Sequence, residues 1–220
     1  MNVDMIDSMG SDLSVVNAAR VSFHKESQWQ RNIPSRGNYE LSDKDEKLIK
    51  YLAEHNHWSP FSHASLQFRI KAPIFVARQL VKHQVGLSWN EVSRRYVDDE
   101  PEFYLPNTWR LRPHKSIKQG SSDETIIYDI SSTMQYVLQT YNNLLEANVA
   151  PEMARMVLPQ NMYTEWFWSG SLYAFARVCN LRLKEDAQAE TRAIAEQIKN
   201  LTENKFPISW KYLVGEGYAK

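Results

Sequence analysis

The spacing of apolar and polar residues along the chain changes several times, and each change marks an element. Asp12–Phe23, DLSVVNAARVSF, places apolar residues at helical intervals behind an Asp or Ser cap and predicts a first helix. Ser42–Asn56 predicts a second: Ser42 caps, acids follow, and Leu48, Ile49, Leu52 and Ala53 form the apolar face. Ser65–Lys71, SLQFRIK, alternates with period two, with Leu66, Phe68 and Ile70 on one side of a strand. Pro73 then opens a helix through about Gln84, since proline suits a first turn. Further on, Asp123–Ala147 predicts a long helix, Ala150–Leu158 a short one stopped by Pro159, and Tyr163–Trp168 an aromatic strand. Ser171–Leu183 and Glu185–Asn204 return to helical spacing.

Two polar stretches interrupt the pattern. Glu26–Glu40 contains Pro34 and Gly37, and Pro101–Ser122 is rich in Pro, Arg and Lys; both read as loops. Internal repeats, low-complexity runs and interdomain linkers are absent from the sequence. The expected fold is α+β: residues 1–220 form a single domain with a small, mostly antiparallel sheet packed by long helices.

Composition narrows the function classes. The 220 residues carry 26 basic and 26 acidic side chains, so the basic excess of a dedicated nucleic-acid binder is missing. Cys179 is the only cysteine, which excludes an internal disulfide and fits a reducing, cytoplasmic setting. MNVDMIDSMG has acids where a signal peptide has lysines, and no window approaches the ~20 apolar residues of a membrane span.

Chemistry concentrates in Gln79–Tyr96, QLVKHQVGLSWNEVSRRY. Clustered charges usually face water. Here, however, Gly86 breaks the helix after Lys82-His83-Gln84, and Trp89 and Tyr96 interleave with the donors. Rings that stack and cations that grip phosphate suit a planar anion, and nucleotides are such molecules. Arg155, in PEMARMVLPQNMY, must reach either the surface or an anion. Arg177 falls among Ala174, Phe175, Ala176, Val178 and Leu181, company in which an arginine tends to be paired or ligand-bound. Cys179 on the same segment reads as core. His55, His57 and His63 in HNHWSPFSH suggest a metal by residue type, but their spacing matches neither a helical zinc pair nor a finger. We read them as capping and loop residues, with no metal. Phosphate loops, GxSxG and CxxC are all missing.

Taken in order, SMGSDLSVVNAARVSF, HNHWSPFSH, APIFVARQ, KHQ…WNEVSRRY, PEMARMVLPQNMYT and NLRL…DAQ resemble the flavin-dependent thymidylate synthases, from about residue 8 to 190. The resemblance implies a homotetramer whose FAD and dUMP sites are shared between subunits. It implies reductive methylation of dUMP to dTMP, with methylenetetrahydrofolate as carbon donor, reduced FAD as hydride source and NADPH as reductant. By the same resemblance, His57, Ser59, Lys82, His83, Gln84, Glu91, Ser171 and Arg177 would bind FAD. Gln79, Lys82, Glu91, Ser93, Arg94, Arg95, Arg155 and Arg182 would bind dUMP, with Arg182 stabilising negative charge on uracil as its N3 proton is lost.

The chain departs from the family's Arg-His-Arg signature. It has Lys82-His83-Gln84 and one additional residue before Ser93, with Ser171 and Arg177 where Asn is frequent and Asp186 where His is common. Lysine lacks the guanidinium fork and glutamine lacks the charge, and a lost charged contact is worth about 1.5–3 kcal/mol. A competing reading is a nucleotide or single-stranded nucleic-acid binding module using Trp89, Tyr96, Arg94 and Arg95 as a stacking surface. A weaker one is a metal-dependent hydrolase on His55, His57 and His63.

Overall fold

The computed structural model describes residues 1–32, 38–113 and 120–215. Strand β1 (Asn2–Met9) leads into helix α1 (Asp12–Arg20), extended by a 3-10 turn at Val21–Phe23. A short ribbon of β2 (Gln30–Asn32) and β3 (Asn38–Glu40) precedes α2 (Asp43–Glu54). Next come β4 (Ser65–Pro73), α3 (Ile74–Leu80) and β5 (Leu87–Glu91), then a second ribbon of β6 (Trp109–Arg110) and β7 (Thr125–Ile126). Helices α4 (Ser131–Glu146) and α5 (Pro151–Ala154), strand β8 (Tyr163–Ser171), and helices α6 (Leu172–Arg182), α7 (Ala189–Lys205) and α8 (Pro207–Val214) complete the order.

The main sheet has the order β1-β4-β8-β5, every pair antiparallel, which bears out the expected α+β class. Period-two alternation on β4 buries Leu66, Phe68, Ile70 and Ala72. Across the ladder, Phe68 faces Trp168 and Ile70 faces Trp166, and β5 sets Trp89 opposite Trp168. Phe175 of α6 meets Phe68 edge-on at 4.9 Å and Trp168 at 5.2 Å, the geometry aromatic quadrupoles favour. Each such ring contributes about 1.5–3 kcal/mol by leaving water. Val76, Leu80, Val178, Ile194 and Ile198 close the core from α3, α6 and α7. Gly170 admits β5 to the sheet: a Cβ there would lie 2.4 Å from the Gly86 carbonyl oxygen.

Local chemistry explains the helix ends. Ser42 accepts from the Asp45 backbone N–H at 3.2 Å, the cap its sequence predicts. Asp45 itself accepts from Arg20, Ser27 and Ser42, tying α1, the following loop and α2 together. Burial works against its charge, but these hydrogen bonds outweigh it and hold its pKa below the ordinary value. Helix α8 has its N-terminus capped by buried Asp12, whose carboxylate accepts from Ile208 N at 3.0 Å and Ser209 N at 2.8 Å.

Several expected boundaries move. The helix opened by Pro73 ends at Leu80, not Gln84, and the charged stretch that follows contains β5. The long helix expected from Asp123 starts at Ser131, because Thr125–Ile126 pairs with Trp109–Arg110 instead. The last expected helix starts at Ala189, and β1 and α8 are additional. Both expected loops contain ribbon strands; their residues 33–37 and 114–119 lie outside the described residues. No helix among the described residues is long and apolar enough to cross a membrane.

Candidate active site

Two helix ends create the first cluster. Helix α3 stops just after Gln79, and α6 stops at Arg182, so both last turns open onto one half-buried place. The Arg182 guanidinium donates from Nε to His83 Nε2 at 3.0 Å and from Nη2 to the Gln79 carbonyl at 3.0 Å. To accept from Nε, His83 must be neutral with its proton on Nδ1. Its pKa is pushed down to about 4, chiefly by burial and then by the Arg182 and Arg177 charges, in agreement with that form. Burial also lowers the pKa of Arg182. Arg182 has five N–H donors, and two are committed here, leaving a fixed cation with donors to spare for an anionic group.

The Gln79 side chain continues the network, its Nε2 donating to Gln188 Oε1 at 2.5 Å. Two residues beyond Gln188, Glu190 is a buried carboxylate that takes two hydrogen bonds from Arg110 Nη2 at 2.8 Å. The pairing partners are 80 residues apart in sequence. Sequence spacing holds no sign of them, and Arg110, Gln188 and Glu190 were missed as individual site residues.

A second cluster lies on the surface beyond β5. Arg95 Nε is 3.5 Å from Glu152 Oε2, and Arg155 Nε donates to the Glu152 carbonyl at 3.2 Å, so Glu152 gathers two arginines. Ser93 accepts from the Arg95 backbone N–H at 3.4 Å, a long bond. Glu91 accepts from Thr164 Oγ1 at 2.8 Å and from Trp89 Nε1 at 3.1 Å. Arg94 is directed elsewhere, donating to the Asp99 carbonyl.

Other expected residues are spread over the neighbouring surface. Ser171 caps α6, accepting from Ala174 N at 3.2 Å, and lines an open cavity of about 340 Å³ with Gly86, Ser88, Ser65, Gln67 and Ser169. Gly86 turns the chain into β5 with φ +77°, and a Cβ there would come within 3.2 Å of Ala174 Cβ. Lys82 and Gln84 are exposed on that turn, and His57 and Ser59 are exposed after α2. Arg177 lies exposed on α6 together with Leu181 one turn on, while Ala174, Phe175, Ala176 and Val178 are buried in the core.

Two readings are corrected or weakened by geometry. Trp89 does not offer a stacking surface to a ligand: it stacks on Trp166 at 4.3 Å, held there by the β5–β8 register. Only Tyr96, 78% exposed with the Arg95 guanidinium 5.5 Å from its ring, fits the binding-module picture. His55 stacks on Tyr51 with its Nδ1 2.8 Å from the Tyr51 carbonyl, a helix-end role. Among the described residues no group of His, Cys, Asp and Glu converges to hold a metal.

Comparison with known proteins places this arrangement in context. The family model described as thymidylate synthase complementing protein matches residues 4–208. A flavin-dependent thymidylate synthase from Thermotoga neapolitana is 40% identical over 219 residues, covering 99% of this chain and 91% of that protein. One from Thermus thermophilus is 38% identical, covering 94% and 73%. Among solved structures, a UMP/dUMP methylase, PolB, from Streptomyces cacaoi bound with 5-Br dUMP superposes with a TM-score of 0.79 at 26% identity, covering 100% of this chain and 97% of that one.

Proposed function

Since the chain belongs to the flavin-dependent thymidylate synthase family, we propose that it is a methyltransferase that converts dUMP to dTMP. In this reading methylenetetrahydrofolate gives the carbon and NADPH reduces a bound FAD. The observation that carries it is the Arg182 guanidinium held between His83 and the Gln79 carbonyl. A thiolate mechanism needs an accessible, acidic cysteine. Cys179 is buried, and burial pushes its thiol pKa far up. Activation of the uracil therefore falls to electrostatics: a preset cation stabilises the charge that develops as the N3 proton is lost, without reorganising at that moment.

In this reading the roles are those the family resemblance implies. Gln79 and Arg182 meet the uracil, while Ser93, Arg95 and Arg155 meet the phosphate, with Lys82, Glu91 and Arg94 completing the dUMP site. The donor set also fits a flavin. By residue type His57, Ser59, Lys82, His83, Gln84, Glu91, Ser171 and Arg177 offer hydroxyls, an amide, a carboxylate and cations, and Ser171 lines the open cavity beside Gly86. Bound and reduced, that group supplies the hydride that completes the methyl. The glutamine at position 84 brings no charge, so Lys82 and Arg177 are the cations of this set left to face flavin phosphates.

One chain leaves much of this open to water, which supports a homotetramer with shared sites. Met153 and Met156, flanking Arg155, are 52% and 70% exposed, and α4 buries only Tyr141 of its 16 residues. The single buried cysteine suits a cytoplasmic enzyme.

The test is an absorption spectrum of the purified protein with FAD after gel filtration, before and after dUMP, followed by tritium release from dUMP labelled at C5. Retained flavin bands that shift with dUMP, and tritium release that needs folate and NADPH, are expected. No retained flavin at any FAD concentration would sink the proposal.

A further inference from the structure

Gln188, whose Oε1 accepts from Gln79 Nε2, also lines a second cavity, of about 450 Å³. None of the residues assigned above to dUMP or to flavin lines it. Its walls are aromatic and apolar: Phe75 of α3, Tyr104, Trp109 of β6, and Ile130 at the start of α4. The Phe75 and Tyr104 ring centroids are 5.9 Å apart. Trp109 is 36% exposed, and its ring is held in place by donation from Nε1 to the Tyr128 carbonyl at 2.7 Å. A cavity of this size, apolar with a few convergent polar groups, is of the kind that takes small molecules.

The charges on its wall decide which molecules. Arg110 and Glu190 are the charged lining residues, and they are committed to each other. Arg110 Nη2 donates to both oxygens of the buried Glu190 at 2.8 Å, and Nε donates to Ser121 Oγ at 2.8 Å. An entering phosphate would meet the Glu190 carboxylate and find Arg110 engaged, so its lost hydration would go unbalanced. The other polar groups are neutral. Asn161 Nδ2 donates to the Tyr104 carbonyl at 3.0 Å, which leaves Oδ1 to accept. The Gln160 side chain, exposed at the rim, offers a donor and an acceptor.

We propose that this cavity is a second ligand site, taking an uncharged, flat N-heterocycle with an amide edge, as in a free nucleoside or a pterin, and excluding nucleotides. The ring stacks on Trp109 and sets its amide edge against Asn161 and Gln160, while the Arg110–Glu190 pair keeps anions out. Neither flavin nor a carbon donor takes part, so the site stands or falls apart from the methyltransferase reading.

The test is calorimetric titration of the full chain, with dUMP in excess, for the wild type, Trp109→Ala and Ile130→Trp. The ligands are thymidine and hydroxymethylpterin, with dTMP and carboxypterin as their anionic counterparts. Thymidine or hydroxymethylpterin is expected to bind, and the one that binds names the source of the ring. Its anionic counterpart is expected to bind about tenfold or more weakly. Trp109→Ala should weaken the neutral ligand by about tenfold or more, the usual loss when a stacked base is deprived of its aromatic partner. Ile130→Trp fills the cavity and should abolish binding; if one variant unfolds, the other decides. No binding of either neutral ring at millimolar concentration overturns the site, as does wild-type affinity in a folded variant. An anion that binds as tightly as its neutral counterpart overturns it too. Binding seen only when dUMP is left out would put the ring in the candidate active site, and the second site would fall.

Discussion

The two arginine clusters on this surface are built in opposite ways. Arg182 is half-buried, and both bonds that hold it come from its own chain, to His83 and the Gln79 carbonyl, each at 3.0 Å. Arg95 and Arg155 stand in water around Glu152, and the Arg95–Glu152 pair is 3.5 Å long with side chains 51% and 54% exposed. An exposed pair of that length contributes little to stability. In the proposed function the difference separates two tasks. A group that must stabilise charge as it forms has to be set in advance, since reorganisation would consume the gain. Groups that grip a phosphate already charged in solution can be ordered by the ligand itself, or by a neighbouring subunit.

The strongest way to break this contrast is at Arg182. Arg182→Lys keeps the charge but cannot span His83 and the Gln79 carbonyl with one planar fork. Turnover is expected to fall by about 100-fold or more, with dUMP affinity much less affected, because the loss lies in stabilising developing charge. Single-turnover tritium release alongside equilibrium dUMP binding would separate the two. A variant that turns over at the wild-type rate would show that any cation near the uracil suffices, and preset geometry would lose its meaning here.

A smaller effect is expected on the other side. If the proposed roles hold, Arg155→Ala and Arg95→Ala each remove one charge-assisted phosphate contact, worth about 1.5–3 kcal/mol of dUMP affinity. That is roughly a tenfold to hundredfold rise in KM, with kcat near the wild type and the melting temperature unchanged. Steady-state kinetics over dUMP concentration would read it. A large fall in kcat with unaltered KM would mean that this strip, too, acts on the transition state.

How much of this could be read beforehand depends on where each signal is stored. Helix α2 was legible because its cap, Ser42, and its acidic first turn are contiguous with it. Helix α8 was not, because Asp12, nearly the whole chain away, caps it. Strand β5 was hidden by its company. Leu87 and Trp89 turn inward while Ser88 and Asn90 face out, and two apolar residues between charged runs give too short an alternation to register. The site divides likewise. Arg182, Gln79, His83 and Arg155 could be named because local motifs resembling a family carry them. The Arg110–Glu190 pair joins a ribbon strand to α7, and only the fold brings those together.

The smallest and most discriminating effect is expected from His83, whose neutral ring belongs to the preset cluster. The fold favours the uncharged ring, pushing its pKa from the ordinary 6.5 to about 4, so its protonation is linked to unfolding. In the unfolded chain the ring takes up a proton as pH falls below its ordinary pKa; in the folded chain it does not until about 4. Its contribution to stability is therefore full above neutral pH, declines as pH drops between those two values, and is gone below the lower one. Asp45, Glu46 and Glu190, all held below their ordinary values, act mainly at the acidic end of this window. His83→Gln keeps an acceptor for Arg182 Nε and cannot titrate. Between pH 6.5 and about 5, melting temperature should fall less steeply in this variant than in the wild type, whereas Arg155→Ala should follow the wild-type curve. Coincident slopes for His83→Gln and the wild type would mean that the ring already titrates freely, and that Arg182 is no more fixed than the arginines around Glu152.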